Sequence, residues 1–388
     1  MNLKRIRMGT SIDTRLIHSG EPEPRIQGSV TMPIFQSAMF EYAGPEDDLR
    51  YVRLSNNPSQ TALQNKLADL EDAEAAIVTA SGMAAISAAL LSTLSPGDHI
   101  LTQNQLYGGT HAFLTSFLSE YGVTYDFINP HEPGTWEAAL TPATNALYVE
   151  TISNPLIQVG DLSALATFAA NHGLTSLIDN TFASPVNFRP GQWGFDLSIH
   201  SASKYLNGHS DLVAGAVIGS DRHIEEVRGK IVQLGGSLDP HACFLLHRGV
   251  KTLALRMQRQ SASAFALATA LDQHSAVERV NYAGLPHSPS NANAVKHLDG
   301  FGGMLSFELR GGSDATSRFM HSLTIPILAP SLGGVETLLV RPALTSHAAL
   351  TPGERGQSGV SDHLMRVSVG IESTEDLLDD FLQALDSI

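Results

Sequence analysis

The sequence predicts an α/β protein: a large domain built on a mostly parallel seven-stranded sheet, followed by a smaller α+β domain. Three observations carry that expectation. Between residues 58 and 218, short apolar runs alternate with helical patterns, as in strands joined by crossover helices. After Gly249 the alternation stops, and a long helical stretch leads into turn-rich and strand-like segments. The chain has 388 residues, too many for one compact core at ~100–200 residues per domain.

The elements follow in order. The first fifty or so residues lack a strong period and carry Pro22, Pro24, Gly28, Pro33, Gly44 and Pro45. Residues 1–55 are therefore expected to form a non-core arm that either frays or crosses to another subunit. Residues 1–12 contain Lys4, Arg5 and Arg7 with no apolar run behind them. No secretory signal is expected there, and the default compartment is the cytoplasm. Leu63, Leu67 and Leu70 recur at helical spacing over 58–70. Residues 75–78, 100–101, 125–128, 146–149, 176–178, 197–199 and 216–218 each suit a buried strand, and 162–171 is one of the helices between them. The uncharged run 75–94 approaches the ~20 residues of a membrane span, but Thr79, Ser81, Gly82, Ser87, Ser92 and Thr93 divide it into strand, turn and helix. The large domain is placed at 56–245 and the smaller one at 246–388. In the latter, 252–271 reads as a helix, with Leu253, Met257, Phe265, Leu267 and Leu271 facing the core. Residues 304–309, 335–340 and 365–369 read as strands, and 376–385 as an amphipathic helix.

Composition narrows the function. Lys plus Arg number 24 against 39 Asp plus Glu, a net charge of −15, which argues against a global electrostatic grip on nucleic acid or anionic lipid. The sole cysteine, Cys243, excludes an internal disulfide framework and any Cys-cluster metal site. The sixteen histidines leave a His/carboxylate metal site open on composition alone.

Five segments carry candidate chemistry. His200-Ser201-Ala202-Ser203-Lys204-Tyr205 follows an apolar strand directly. Ligands of open α/β sheets sit beyond the carboxyl ends of strands. Lys204 there is either a solvated surface lysine or a Schiff-base lysine with phosphate-holding hydroxyls beside it. The strand 176–178 ends in Asp179, which is either a helix N-cap or the partner of a protonated ring nitrogen. A lysine Schiff base with an aspartate on the pyridinium is the pattern of pyridoxal phosphate enzymes. Ser81-Gly82-Met83 opens an Ala-rich helix, either a plain tight turn or an anion cradle. Tyr107, before Gly108-Gly109-Thr110, either fills a turn or stacks on an aromatic cofactor and moves protons. Arg366 stands alone in an apolar strand, so it needs either a structural salt bridge or a substrate carboxylate.

Together these segments resemble the Cys/Met-metabolism (trans-sulfuration) enzymes that depend on pyridoxal 5′-phosphate. The resemblance runs from Thr14-Arg15-Leu16-Ile17-His18 to the C-terminal helix. It includes Tyr51-Val52-Arg53 with Asn57-Pro58, Ser153-Asn154-Pro155, Gly284-Leu285-Pro286, Ser331-Leu332-Gly333-Gly334 and Arg366-Val367-Ser368-Val369-Gly370. It implies the type I fold of these enzymes, with pyridoxal 5′-phosphate as cofactor and no metal. Lys204 would form the Schiff base, Asp179 would pair with the pyridine nitrogen, Asn154 would lie near the ring oxygen, and Tyr107 would stack on the ring. Gly82, Met83, Ser201 and Ser203 would hold the phosphate, joined by Tyr51 and Arg53 of a neighbouring subunit. Arg366 would bind the substrate carboxylate, helped by Ser331 and Asn154. The partners implied are a small sulfur amino acid or homoserine ester and further copies of the chain, in a tetramer of paired dimers. No nucleic acid or membrane partner is expected. The activity implied first is that of a cystathionine γ-lyase. A γ-synthase is next, then a cystathionine β-lyase, methionine γ-lyase or homoserine-ester sulfhydrylase. Two positions depart from the family pattern. Pro330 stands where cystathionine γ-lyases and many γ-synthases carry Glu, which removes a carboxylate for cystathionine's distal ammonium. Gly109 stands where methionine γ-lyases commonly carry Cys, which speaks against methionine.

Overall fold

The computed structural model describes residues 3, 9–45, 49–346, 348, 352–357 and 359–388. Lys4, Arg5 and Arg7 of the basic N-terminal run lie outside the described residues, as does part of the 1–55 segment.

Seven strands build the large sheet: β1 Ala75–Thr79, β2 His99–Gln103, β3 Thr124–Ile128, β4 Thr144–Glu150, β5 Thr175–Asp179, β6 Leu197–His200 and β7 Gly215–Gly219. Their spatial order is β1-β7-β6-β5-β4-β2-β3. Every pairing is parallel except those of β7, which runs antiparallel to both β1 and β6. The inner strands are apolar in their middles because both faces are covered, whereas the edge strand β3 leaves Thr124, Asp126 and Phe127 exposed. Val78, Leu147, Val149, Ile178, Ala216 and Ile218 enter one core. Ile77, Ala146, Tyr148, Leu177, Ile199 and Val217 enter the core on the other face. All seven strand expectations fall within these elements.

The second sheet is β8 Val277–Asn281, β9 Met304–Leu309, β10 Ile327–Leu328, β11 Leu338–Val340 and β12 Met365–Ser368, in the order β10-β11-β12-β9-β8. Its core gathers Leu305, Phe307, Phe319, Met365, Val367 and Phe381. The helix Leu253–Gln273 joins the two bodies: Leu253 and Met257 pack into the large-domain core and Leu267 and Leu271 into the small one.

Three expectations need correction. Phe265, expected to face the core, is 44% exposed, because it lies two residues from Leu267 and so on the opposite side of the helix. The strand over 335–340 shortens to β11, because the Val335 carbonyl and the Thr337 hydroxyl accept from Ile371 N and Gly370 N in a tight turn. The first fifty-odd residues are not wholly outside the core. The helix Ile12–His18 docks on the helix Pro58–Leu70, with Leu16 fully buried and Arg15 paired to Asp69 and Asp72. One leucine and one ion-paired arginine are too sparse to show as a period. No helix among the described residues is long and apolar enough to cross a membrane. The 75–94 run is β1, a turn, and the helix Gly82–Thr93.

Candidate active site

The carboxyl ends of β1, β4, β5 and β6, together with the loops after β2 and β10, line one cavity of about 1060 Å³. Gly82, Met83, Tyr107, Asn154, Asp179, Ser201, Ser203, Lys204, Ser331 and Arg366 all line it. These residues are scattered from 82 to 366, and the fold brings them together.

The turn after β1 makes the anion end. Ser81 caps the helix Gly82–Thr93 by accepting from Ala84 N, leaving the N–H groups of Gly82 and Met83 without helical acceptors. A β-carbon on Gly82 would come within 2.8 Å of Ser201 Cβ and Oγ, so only glycine lets the helix start approach the lysine loop this closely. Ser201 N donates to Thr181 Oγ1 at 2.8 Å. Ser203 is braced against Ala214: its hydroxyl accepts from Ala214 N at 2.9 Å and donates to Ala214 O at 3.2 Å.

Asp179 ends β5 and accepts from Thr181 N at 2.9 Å. It does not cap a helix, since the next one begins at Ser184. Burial raises its carboxyl above the ordinary value, opposed by hydrogen bonds from Thr181. A cation against it would relieve that cost.

Lys204 reaches across to the second domain, where its Nζ donates to Ser331 Oγ at 2.7 Å. Burial, and then the neighbouring Arg366 charge, lower its ammonium below the usual 10.5. An amine so depressed spends more time as the nucleophilic free base. Ser331 holds φ at +114°, a conformation unusual for a residue with a side chain, and its carbonyl accepts from Arg366 Nη2 at 3.0 Å. Arg366, on β12, also gives Nη1 to Asn154 Oδ1 at 3.0 Å, while its buried Nε has no hydrogen-bond partner. Burial lowers this guanidinium to about 10. Among the described residues no carboxylate pairs with it, so the structural salt bridge left open by the sequence is not what occupies Arg366.

Tyr107 leads into the helix Gly108–Ala112 with its ring 42% exposed on the cavity. A β-carbon at Gly109 would fall within 2.5 Å of Tyr107 Cε1 and 3.0 Å of Met83 Sδ, so the ring occupies the space a side chain there would need.

Tyr51 and Arg53 lie outside the cavity of their own chain. Arg53 sits 5.8 Å from the centre of the Tyr51 ring and donates to Val232 O at 3.0 Å. Sequence reasoning passed over several polar lining residues, among them Glu150, Thr181, Ser210 and Glu336. Glu150 had a usable signal: like Asp179, it is a carboxylate closing an apolar strand.

The residues present fit pyridoxal phosphate. A helix N-terminus beside Ser201, a buried carboxylate, a depressed lysine amine and a tyrosine ring all line the one cavity.

The family model for Cys/Met metabolism PLP-dependent enzymes matches residues 13–386. The chain is 40% identical over 394 residues to an L-methionine gamma-lyase of Porphyromonas gingivalis, covering 98% of each chain. It is 40% identical over 380 residues to a cystathionine beta-lyase of Lactococcus lactis subsp. cremoris, covering 97% of this chain and 99% of that one. Among solved structures, it is similar to the cystathionine gamma-lyase from Lactobacillus plantarum complexed with L-serine, with a TM-score of 0.93 and 38% identity over 98% of this chain and 99% of that one. It is also similar to the cystathionine gamma synthase from Xanthomonas oryzae pv. oryzae, with a TM-score of 0.94 and 36% identity over 98% of both.

Proposed function

The chain belongs to the Cys/Met-metabolism family of pyridoxal phosphate-dependent enzymes, and on that premise we propose that it is a carbon–sulfur lyase acting on cystathionine by γ-elimination. The products are cysteine, 2-oxobutanoate and ammonia. The observation that carries the reading is Arg366: a buried guanidinium, free of any carboxylate partner among the described residues, in the same cavity as Lys204. It awaits an α-carboxylate, which Arg grips with two parallel hydrogen bonds.

When bound, pyridoxal phosphate supplies an electron sink for negative charge at the substrate's α-carbon. Gly82, Met83, Ser201 and Ser203 would hold its phosphate, Asp179 would pair with its ring nitrogen, Asn154 would lie near its ring oxygen, and Lys204 would be its covalent anchor. Arg366, aided by Ser331 and Asn154, fixes the carboxylate and so presents the α-hydrogen. Once the substrate amine has displaced it, Lys204 Nζ would shuttle the α-proton away as a general base and then accept a second proton, from the β-carbon, whose electron pair expels the γ-sulfur. The Tyr107 hydroxyl would give a proton to that departing sulfur. Tyr51 and Arg53 complete the phosphate site of a neighbouring subunit, which makes a dimer the smallest active unit and a tetramer of two dimers the assembly. The compartment proposed is the cytoplasm.

A second reading, methionine as substrate, is favoured by the distal wall of the cavity, where Leu212, Val213, Ile327, Pro330 and Leu338 are apolar. Against it stands Gly109, whose place is crowded by the Tyr107 ring. A γ-synthase would use the same apparatus on an O-acylhomoserine and cysteine. One panel separates them: 2-oxobutanoate with cysteine from cystathionine, 2-oxobutanoate with methanethiol from methionine, or new thioether from ester plus cysteine. Pyruvate with homocysteine would instead mean β-elimination. Failure to form 2-oxobutanoate from cystathionine in cofactor-loaded protein refutes the first reading.

A further inference from the structure

Glu150 is the last residue of β4 and stands in register with Asp179, the last residue of β5. Residues paired across parallel strands send their side chains to the same face, so two carboxyls lie side by side at the cavity floor. Glu150 is almost wholly buried, and no Lys, Arg or His among the described residues forms an ion pair with it. Its Oε1 accepts the backbone N–H of Tyr107 at 2.6 Å. The backbone N–H of Asn154 also bears on this carboxyl. Its own N–H donates to Gln103 Oε1 at 2.9 Å, at the end of β2. Residue 150 therefore ties the end of β2 and the loop after it to the end of β4, immediately beside the end of β5. Burial and the Asp179 charge raise its carboxyl well above the ordinary value. That cost is tolerated where the acid performs a task at the site.

We infer that Glu150 is a positioning residue of the cofactor site, holding the Tyr107 main chain at a fixed distance from Asp179. The inference rests on the reading that Tyr107 and Asp179 contact pyridoxal phosphate. Through Glu150 the stacking ring and the ring-nitrogen acceptor become one rigid unit instead of two separately anchored loops. Glu150 holds the backbone of Tyr107 and stands in register with Asp179, so it shapes the site without itself moving a proton.

The test uses purified holoenzyme of the wild type, Glu150→Ala, Glu150→Gln and Glu150→Asp. Measured for each are the visible circular dichroism of bound cofactor, the cofactor dissociation constant by titration after its removal, kcat and KM for cystathionine, and the melting temperature. In Glu150→Ala the cofactor should bind about tenfold more weakly for each hydrogen bond lost. The visible dichroism should change in shape, and kcat should fall while KM stays within about threefold, since Arg366 is untouched. Glu150→Gln keeps an acceptor oxygen for Tyr107 N–H and should restore most of the affinity and the dichroism. A folded Glu150→Ala protein with wild-type dichroism and affinity overturns the inference. If that variant does not fold, Glu150→Asp decides: its carboxyl ends about 1.5 Å short of Tyr107 N–H, and wild-type dichroism and affinity there overturn the inference equally. Wild-type protein that takes up no pyridoxal phosphate would instead overturn the cofactor-site reading itself, and the inference with it.

Discussion

Replacing Arg366 by lysine keeps one positive charge and removes the planar fork. In the native site Nη1 and Nη2 each give one hydrogen to a protein acceptor, Asn154 Oδ1 and Ser331 O, both at 3.0 Å. The unpartnered Nε and the remaining Nη hydrogens are what a carboxylate can take two of at once. A lysine ammonium is a point donor that cannot serve both protein acceptors and a bidentate anion. The variant should lose at least one charge-assisted hydrogen bond, worth about 1.5–3 kcal/mol, or roughly 10- to 150-fold in kcat/KM for cystathionine. The absorbance of bound cofactor shows that the variant remains loaded. A cystathionine analogue with a carboxamide in place of the α-carboxylate closes the cycle. If Arg366 reads that carboxylate, the substitution should cost the carboxamide several-fold less than it costs cystathionine. Equal fold-losses on both compounds, in folded and loaded protein, would refute the reasoning.

Lys204→Ala should leave little turnover, and borohydride should no longer fix cofactor to the peptide around residue 204; trapping at a different lysine would reassign the anchor. Mixing inactive Arg53→Ala with inactive Lys204→Ala under subunit exchange should restore part of the activity, and proven mixed dimers without recovery would count against a shared site. Pro330→Glu should raise the ratio of catalytic efficiencies for cystathionine over methionine by about 2- to 10-fold, discounted from a buried contact because residue 330 is exposed; an unchanged ratio would clear that position of any role in reading the distal ammonium. Burial lowers the Lys66 ammonium from 10.5 to about 7. Between those values the unfolded chain holds the extra proton, so this group makes stability rise with pH across the window. Urea midpoints of Lys66→Met between pH 7 and 9.5 should follow a flatter slope than wild type.

Most of the large sheet was legible because its inner strands are covered on both faces, which writes a short apolar run into the middle of each. The small sheet was less so. β8 reads Val-Glu-Arg-Val-Asn with its charged pair exposed, and β10 is two exposed residues long. Neither has the length or alternation that a periodic reading needs. In the site, Lys204, Asp179 and Arg366 could be singled out because each is a charge set against or inside an apolar strand. Glu150 carried the same signature and was passed over, since nothing in one dimension shows that its carboxyl meets the Tyr107 backbone. Tyr51 and Arg53 came from the resemblance alone. A single chain leaves them exposed at its surface, away from its own cavity.

The position of β1 has a consequence for how the protein is made. It lies at the sheet edge, and its only strand partner is β7, with Ala75 opposite Gly219 and Thr79 opposite Gly215. As the nascent chain leaves the ribosome, strands β2 to β6 can pair among themselves in the order they emerge. β1 has no strand to pair with until residue 219 is out, although the helix Pro58–Leu70 can already pack against it. Such long-range closure is slow and leaves apolar strand surface unshielded meanwhile. The segment whose arrival closes the sheet also fixes Ala214, the brace of Ser203, behind the lysine loop. Chains halted before residue 219 should therefore depend on holdase chaperones and be unable to retain a phosphate ester, whereas chains released soon after it can seal the cradle and begin to load.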